Sequence, residues 1–219
     1  MKTYEKIETV FNRDTEGTKK LIEGSYRSPA VRMLKDIFWE WTEKIDGTNI
    51  RVHWDGHNVE FGGRTERANI PADLMNKLVE LFAGETNAQL FEQMFGEKDV
   101  ILFGEGYGRK IQSVGSQYIP DGVDFILFDV CVNGQYLNRD SVDGIAATFG
   151  IKSVPVILRG DIDDAIAYVR SYPRSTIGAA PMEGLVGRPP IELTCHGERI
   201  IVKVKARDFY QDGDNRAQT

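Results

Sequence analysis

The sequence is short of cysteine, of long apolar runs and of positive charge, and each shortage argues against a class of protein. Only two cysteines occur, Cys131 and Cys195, both in apolar alternating segments and neither in a Cys-x-x-Cys pair. They read as buried thiols rather than as a disulfide or a metal site. No window approaches the ~18 uninterrupted apolar residues of a membrane helix. The opening Met1-Lys2-Thr3-Tyr4-Glu5-Lys6-Ile7-Glu8 lacks the apolar stretch of a secretion signal. A cytoplasmic protein with no membrane partner is therefore expected. His53, His57 and His196 have no metal-ligand spacing and are given no chemistry. The formal net charge of −6 argues against nonspecific coating of nucleic acid, so any polyanion site has to be a confined patch of lysine and arginine.

What is present suits a sizeable core. The chain has 219 residues, 41% hydrophobic and 27% charged, without linker, repeat or low-complexity tract. A single domain over residues 1–219 is expected. Residues 12–23 form a short polar helical pattern closed by Gly24. From Ile37 onward, apolar runs broken at Asp46-Gly47 and Asp55-Gly56 read as a meander of antiparallel strands, with a hairpin bend at Asp46-Gly47. Pro71 opens a helix carrying Leu74, Leu78 and Leu81, and Gly84 ends it. A Thr86-to-Gln89 capping box opens a second helix that Gly96 stops. Val100–Phe103 and Phe125–Phe128 are continuous apolar runs of the kind buried on both faces. Helices at residues 140–149 and 161–172 flank a strand at 154–158, and strands at 183–186, 191–195 and 199–205 close the chain. The fold class is α+β, mostly antiparallel sheets with flanking helices.

Chemistry concentrates where charge interrupts these strands. Residues 43–49 read Glu-Lys-Ile-Asp-Gly-Thr-Asn between two apolar segments. A lone lysine in a turn is ordinarily a solvated charge, but Lys44 is not the only irregularity. Lys203 and Lys205 stand two apart in a strand and so share a face, where two ammonium groups repel unless that face holds an anion. Glu183 in Glu-Gly-Leu-Val-Gly-Arg and Glu105 in Phe-Gly-Glu-Gly-Tyr-Gly are carboxylates beside glycines that let a ligand approach the backbone. Each alone suits a salt bridge; together they suit the oxygen ligands and ribose bonds of a metal-nucleotide site. Arg109 and Lys110 read as solvated or nucleic-acid-facing surface.

The ordered series resembles the covalent nucleotidyltransferases: DNA ligases, RNA ligases and mRNA capping enzymes. Within that superfamily it is similar to the RNA ligase 2-type family of phages, bacteria and editing complexes. The likeness rests on Glu43-Lys44-Ile45-Asp46-Gly47-Thr48-Asn49, the Gly-Gly-Arg-Thr of Arg64, and the segments around Glu105, Phe125, Glu183 and Lys203-Val204-Lys205. It implies a ligase adenylation domain, ATP-grasp-like and without an OB-fold, in which residues 1–35 are an N-terminal extension and 206–219 a short polar tail. Lys44 would attack the α-phosphorus of ATP and hold AMP, which then activates an RNA 5′-phosphate for joining to a 3′-hydroxyl, single-stranded or at a nick. The amine must be neutral to do so, and the cations Lys203 and Lys205 would favour that form while also stabilising the phosphates. By the same resemblance the Glu43 main chain meets the adenine edge, Phe125 stacks on its ring, Arg64 and Glu105 hold the ribose, and Asn49 lies near the nucleotide. Glu183 organises Mg²⁺ or Mn²⁺. The implied setting is the cytosol of a bacterium or phage-infected host. Only 14 residues follow Lys205, too few for the module that such ligases usually append, which leaves three expectations open: weak sealing, preference for a particular end structure, or a partner protein that supplies strand positioning. A DNA ligase, a GTP-using capping enzyme, an adenylating subunit and a noncatalytic binding module share parts of the pattern. Thr48-Asn49 and the expected lack of an OB-fold count against the first two, and retention of Lys44, Glu183 and both strand lysines against the last.

Overall fold

Most strand-forming segments of the chain sort into a six-stranded and a five-stranded sheet, with two further two-stranded ribbons among the described residues. The structure is a computed structural model and describes residues 1–209. Its contacts group into two compact units: Met1–Glu5 with Asp46–Val154, and Lys6–Ile45 with the chain from Pro155 onward. Both are mixed α+β, as the sequence implies. Among the described residues no helix is long and apolar enough to cross a membrane.

The first unit is built on a six-stranded sheet in the order Lys152–Ser153, Val123–Val132, Val100–Gly108, Thr48–Trp54, Val59–Gly62, with Gln135–Tyr136 beside Val123–Val132. Side chains alternate along each strand, so Ile50, Val52, Trp54, Leu102 and Phe125 face one way. They meet Leu74, Leu78 and Phe82 of the helix Ala72–Phe82, Phe91 of Glu85–Phe95 and Val142 of Arg139–Thr148. On the other face Ile101, Phe103 and Cys131 are covered by Met1, Tyr4 and Tyr136, which is why the Val100–Phe103 run is apolar without alternation. Tyr4 donates to Asp129 there at 2.9 Å.

The second unit holds a five-stranded sheet in the order Glu8–Thr9, Val202–Lys205, Gly184–Arg188, Trp39–Lys44, Val156–Gly160. Trp39, Trp41, Leu185, Val202 and Val204 form its apolar face, packed on Ile162, Ile166 and Val169 of the helix Ile162–Arg170. Asp161 caps that helix in a reciprocal box with Asp164, satisfying two backbone donors that the first turn leaves open.

Four local expectations are corrected. Residues 12–23 hold no helix: Phe11–Arg13 pairs with Leu21–Tyr26 as a small antiparallel ribbon, whose apolar Phe11 and Tyr26 pack edge-on at 5.1 Å. Tertiary packing of two rings overrides a weak polar helical pattern. The helix expected to be capped at Thr86 starts two residues earlier, at Glu85 after Gly84, without a side-chain cap. Cys195 is only partly buried, on the short strand Thr194–Cys195. Asp46-Gly47 is not a hairpin, because Trp39–Lys44 pairs with Gly184–Arg188 while Thr48–Trp54 pairs with Val100–Gly108. The glycine is required by close approach: a Cβ at Gly47 would lie 2.3 Å from the Gly106 carbonyl. Of the expected tail, residues 206–208 form a 3₁₀ turn and residues 210–219 lie outside the described residues.

Another close approach lies inside the core of the first unit, where a Cβ at Gly104 would fall 2.1 Å from the Phe125 ring and 2.6 Å from the Ile126 carbonyl. Gly104→Ala should therefore destabilise the protein by about 1–3 kcal/mol, the cost of overpacking a closed core. Urea unfolding reads this directly, and an unchanged midpoint would contradict the packing described.

Candidate active site

Lys44 ends its strand on the face opposite Trp39 and Trp41, because residues two apart along a strand share a side. The neighbouring strands bring in the rest. Gly184 is directly opposite Lys44 on one flank and Lys205 on the other, and Val186 is opposite Lys203. Three segments far apart in sequence thus place Lys44, Lys203 and Lys205 on one face of one sheet. Glu183, immediately before the middle strand, reaches between two of them: Lys44 Nζ donates to Oε2 at 2.7 Å, and Lys205 Nζ lies 2.6 Å from Oε1. Gly184 at the centre has φ +152, and a Cβ there would lie 2.1 Å from the Val204 carbonyl, so only glycine lets the strands close around the carboxylate.

Electrostatics follow from this geometry. Burial opposes ionisation of Glu183, but the Lys44 charge and the hydrogen bonds from Lys205 and Lys44 outweigh it and hold the carboxyl below the ordinary carboxylate value. Lys203 is shifted down from the ordinary lysine value by burial first, then by the charges of Lys205 and Lys44. No hydrogen bond or ion pair engages the Lys203 side chain among the described residues. The face is therefore a cationic concentration in an acidic chain, and the Lys203 ammonium, which feels the more distant Glu8 carboxylate, is held in no salt bridge among those residues.

Glu43, the residue before Lys44, points to the opposite side and is 1% exposed. Thr176 fixes it, donating from its amide at 3.0 Å and its hydroxyl at 2.5 Å to Oε2, while Oε1 has no hydrogen-bond partner. The Glu43 amide itself donates to the Pro155 carbonyl at 3.0 Å.

The other expected site residues belong to the first unit. Asn49 is directly opposite Glu105 on adjacent strands, so the two share a face, and Asn49 Oδ1 is buried without a hydrogen-bond partner. An orphaned acceptor beside a carboxylate suits a ligand hydroxyl or amine. Arg64 is exposed in the loop after Val59–Gly62 and has no ion pair among the described residues. Phe125 does not join Glu105. It lies opposite Gly106, whereas Ile126 is opposite Glu105, so its ring faces the helices and packs edge-on against Phe82 at 5.4 Å, with no exposed surface.

Sequence reasoning missed three supporting residues. Thr176 lies 133 residues from Glu43. Gln112 donates to the Gly47 carbonyl at 2.9 Å from a backbone with φ +55, and the Asp46 amide donates to the Tyr118 hydroxyl at 3.3 Å. None has a local signal, since each is defined by a partner distant in the chain.

Metal binding fits a narrow donor set. No cluster of three histidine, cysteine or carboxylate side chains occurs among the described residues. Glu183 offers a single carboxylate, which suits Mg²⁺ or Mn²⁺ held mainly by water and substrate phosphates rather than by a protein cage.

Comparison with known proteins agrees with this architecture. A family model described as RNA ligase matches residues 37–205. Three solved structures of a Naegleria gruberi RNA ligase are similar in fold. A lysine mutant with AMP and Mn has a TM-score of 0.62 at 19% identity, covering 93% of this chain and 62% of that one. Another lysine mutant with ATP and Mn has a TM-score of 0.63 at 18% identity, with coverages of 94% and 62%. The protein with PPi has 0.63 at 19%, with coverages of 95% and 63%. The chain therefore spans less than two thirds of these structures, and likeness at this identity speaks for the fold. No curated protein sequence matches the chain.

The depressed Glu183 carboxyl makes a pH-dependent contribution to stability. It is fully present above the unfolded value of about 4.5 and lost as pH falls through the lower folded value. Glu183→Gln should be less stable at neutral pH by about 1–3 kcal/mol, because two lysines lose their shared anion. The difference from the parent should shrink below about pH 4. Thermal melts across that range check both signs.

Proposed function

Because the chain belongs to the RNA ligase family, we propose that it is an ATP-dependent ligase that carries AMP on Lys44 and seals RNA ends. The observation that carries this reading is the convergence of Lys44, Glu183 and Lys205 from three separate segments, with Lys203 on the same face. Phosphoryl transfer asks of a protein mainly positioning and charge stabilisation, and this face supplies both.

In the first step the Lys44 nitrogen bonds to the α-phosphorus of ATP as the bond to pyrophosphate breaks. To attack, Lys44 has to leave the hydrogen bond it donates to Glu183 and lose its proton. Of the three lysines on this face, Lys203 is held below the ordinary lysine value, by burial and then by the charges of Lys205 and Lys44. Lys203 and Lys205 then sit where they can neutralise the phosphate oxygens as charge develops. A divalent cation at Glu183 would supply further charge neutralisation on the phosphates. The resemblance gives the ribose to Arg64 and Glu105, adenine recognition to the Glu43 main chain, and a nucleotide contact to Asn49. The orphaned Asn49 oxygen beside Glu105 supports that assignment. Phe125, enclosed in the core, is left to packing. AMP then passes to an RNA 5′-phosphate, and a 3′-hydroxyl displaces it to form the phosphodiester.

Incubation with ATP and Mg²⁺ or Mn²⁺ should add one AMP to the intact protein by mass spectrometry, and Lys44→Ala should abolish the adduct. Nicked and single-stranded 5′-phosphorylated RNA should then show adenylylated intermediate and joined product. An unchanged adduct in Lys44→Ala refutes the assignment.

A further inference from the structure

The charged face of the five-stranded sheet continues well past Lys44. Residues directly opposite on paired strands share a face. Arg188 is opposite Glu40 from one side and Arg159 opposite Glu40 from the other, so Arg188, Glu40 and Arg159 form a second cross-strand row. That row lies four residues along the strand from Lys44, about 13 Å at ~3.3 Å per residue. Lys203 stands between the two rows, opposite Val186. The apolar side is unmistakable on the reverse, where a Cβ at Gly187 would lie 2.3 Å from the Trp41 ring.

The face therefore presents Lys44, Lys203, Lys205, Arg188 and Arg159 against Glu183 and Glu40, in a chain whose formal net charge is −6. Like charges on neighbouring strands cost stability, and an ordinary salt-bridged surface would match each carboxylate with one cation. Glu40 instead lies between two arginines. Arg159 Nε is 3.0 Å from Glu40 Oε1, yet its side chain keeps 53% of its surface exposed. The exposed fork of Arg159 is suited to bidentate phosphate contact, whereas Arg188, whose Nη2 is buried, would act as a charge.

We propose that this face is a phosphate track for the RNA backbone leading to the end that reacts at Lys44, with Arg159 and Arg188 as its outer contacts. The proposal rests on the ligase reading. A triphosphate with its α-phosphorus at Lys44 is too short to reach along ~13 Å of sheet, whereas a nucleic-acid strand repeats its phosphates over any such length.

The test uses Arg159→Gln and Arg188→Gln, singly and together, with Arg188→Lys as the charge-preserving control and melting temperatures as the check on folding. Lysyl-AMP formation with ATP alone should be unchanged. In sealing of a 5′-adenylylated RNA strand, KM for RNA should rise about tenfold per arginine, and the salt slope of RNA binding should fall by about 0.7 for each. Arg188→Lys should retain most of the affinity. RNA KM and salt slope equal to the parent's would overturn the track, as would a raised ATP requirement in lysyl-AMP formation, which would give the row to the ATP tail. Absence of lysyl-AMP in the parent protein would remove the ligase reading instead. RNA binding by the parent against the double variant would still decide the track.

Discussion

A single carboxylate held between two ammonium groups organises the second unit. Glu183 is mostly withdrawn from water, and an isolated charge in that position would be costly. Lys44 and Lys205 make it tolerable by approaching its two oxygens separately. The same contact restrains the lysines, which without the carboxylate would repel across two strand spacings. Register, charge and chemistry are therefore one constraint: strands that slipped by a residue would lose the anion and carry Lys44 to the apolar face.

That coupling explains why the sheet is so unequal on its two sides. Trp39 and Trp41 stack at 5.9 Å on the side that meets the helix Ile162–Arg170, and their indole nitrogens donate to the Leu34 and Gly160 carbonyls. These large buried rings supply the rigid backing against which the charged side can be held. Glu43, between Thr42 and Lys44, is the exception on the apolar side, and the Thr176 clasp ties it to the segment that leads into Glu183.

The first unit solves a similar problem with a buried arginine. Arg51 is fully enclosed on the face shared with Asn49 and Glu105, donating from Nε to the Gly63 carbonyl at 2.7 Å and from Nη1 to the Met1 carbonyl at 2.9 Å. It thereby holds the backbone just before Arg64 and the start of the chain. A buried guanidinium needs such acceptors, so the loop that carries Arg64 is anchored without Arg64 itself being used.

Strand alternation, glycine breaks and charge interruptions were legible in the linear chain because they depend on neighbours one to four residues away. They were enough to identify the α+β class, the helices Ala72–Phe82 and Glu85–Phe95 within a residue or two, and the pairing of Lys203 with Lys205 on one face. Tertiary structure alone decided the rest. Whether Asp46-Gly47 was a hairpin depended on which distant strands claimed its two flanks, and Phe125 took the helix side because its partner is Gly106 rather than Glu105. The Glu183 bridge to Lys44 spans 139 residues and the Thr176 clasp 133. Periodicity specifies which residues share a side of a strand; only the packing of strands remote in sequence determines what stands opposite them.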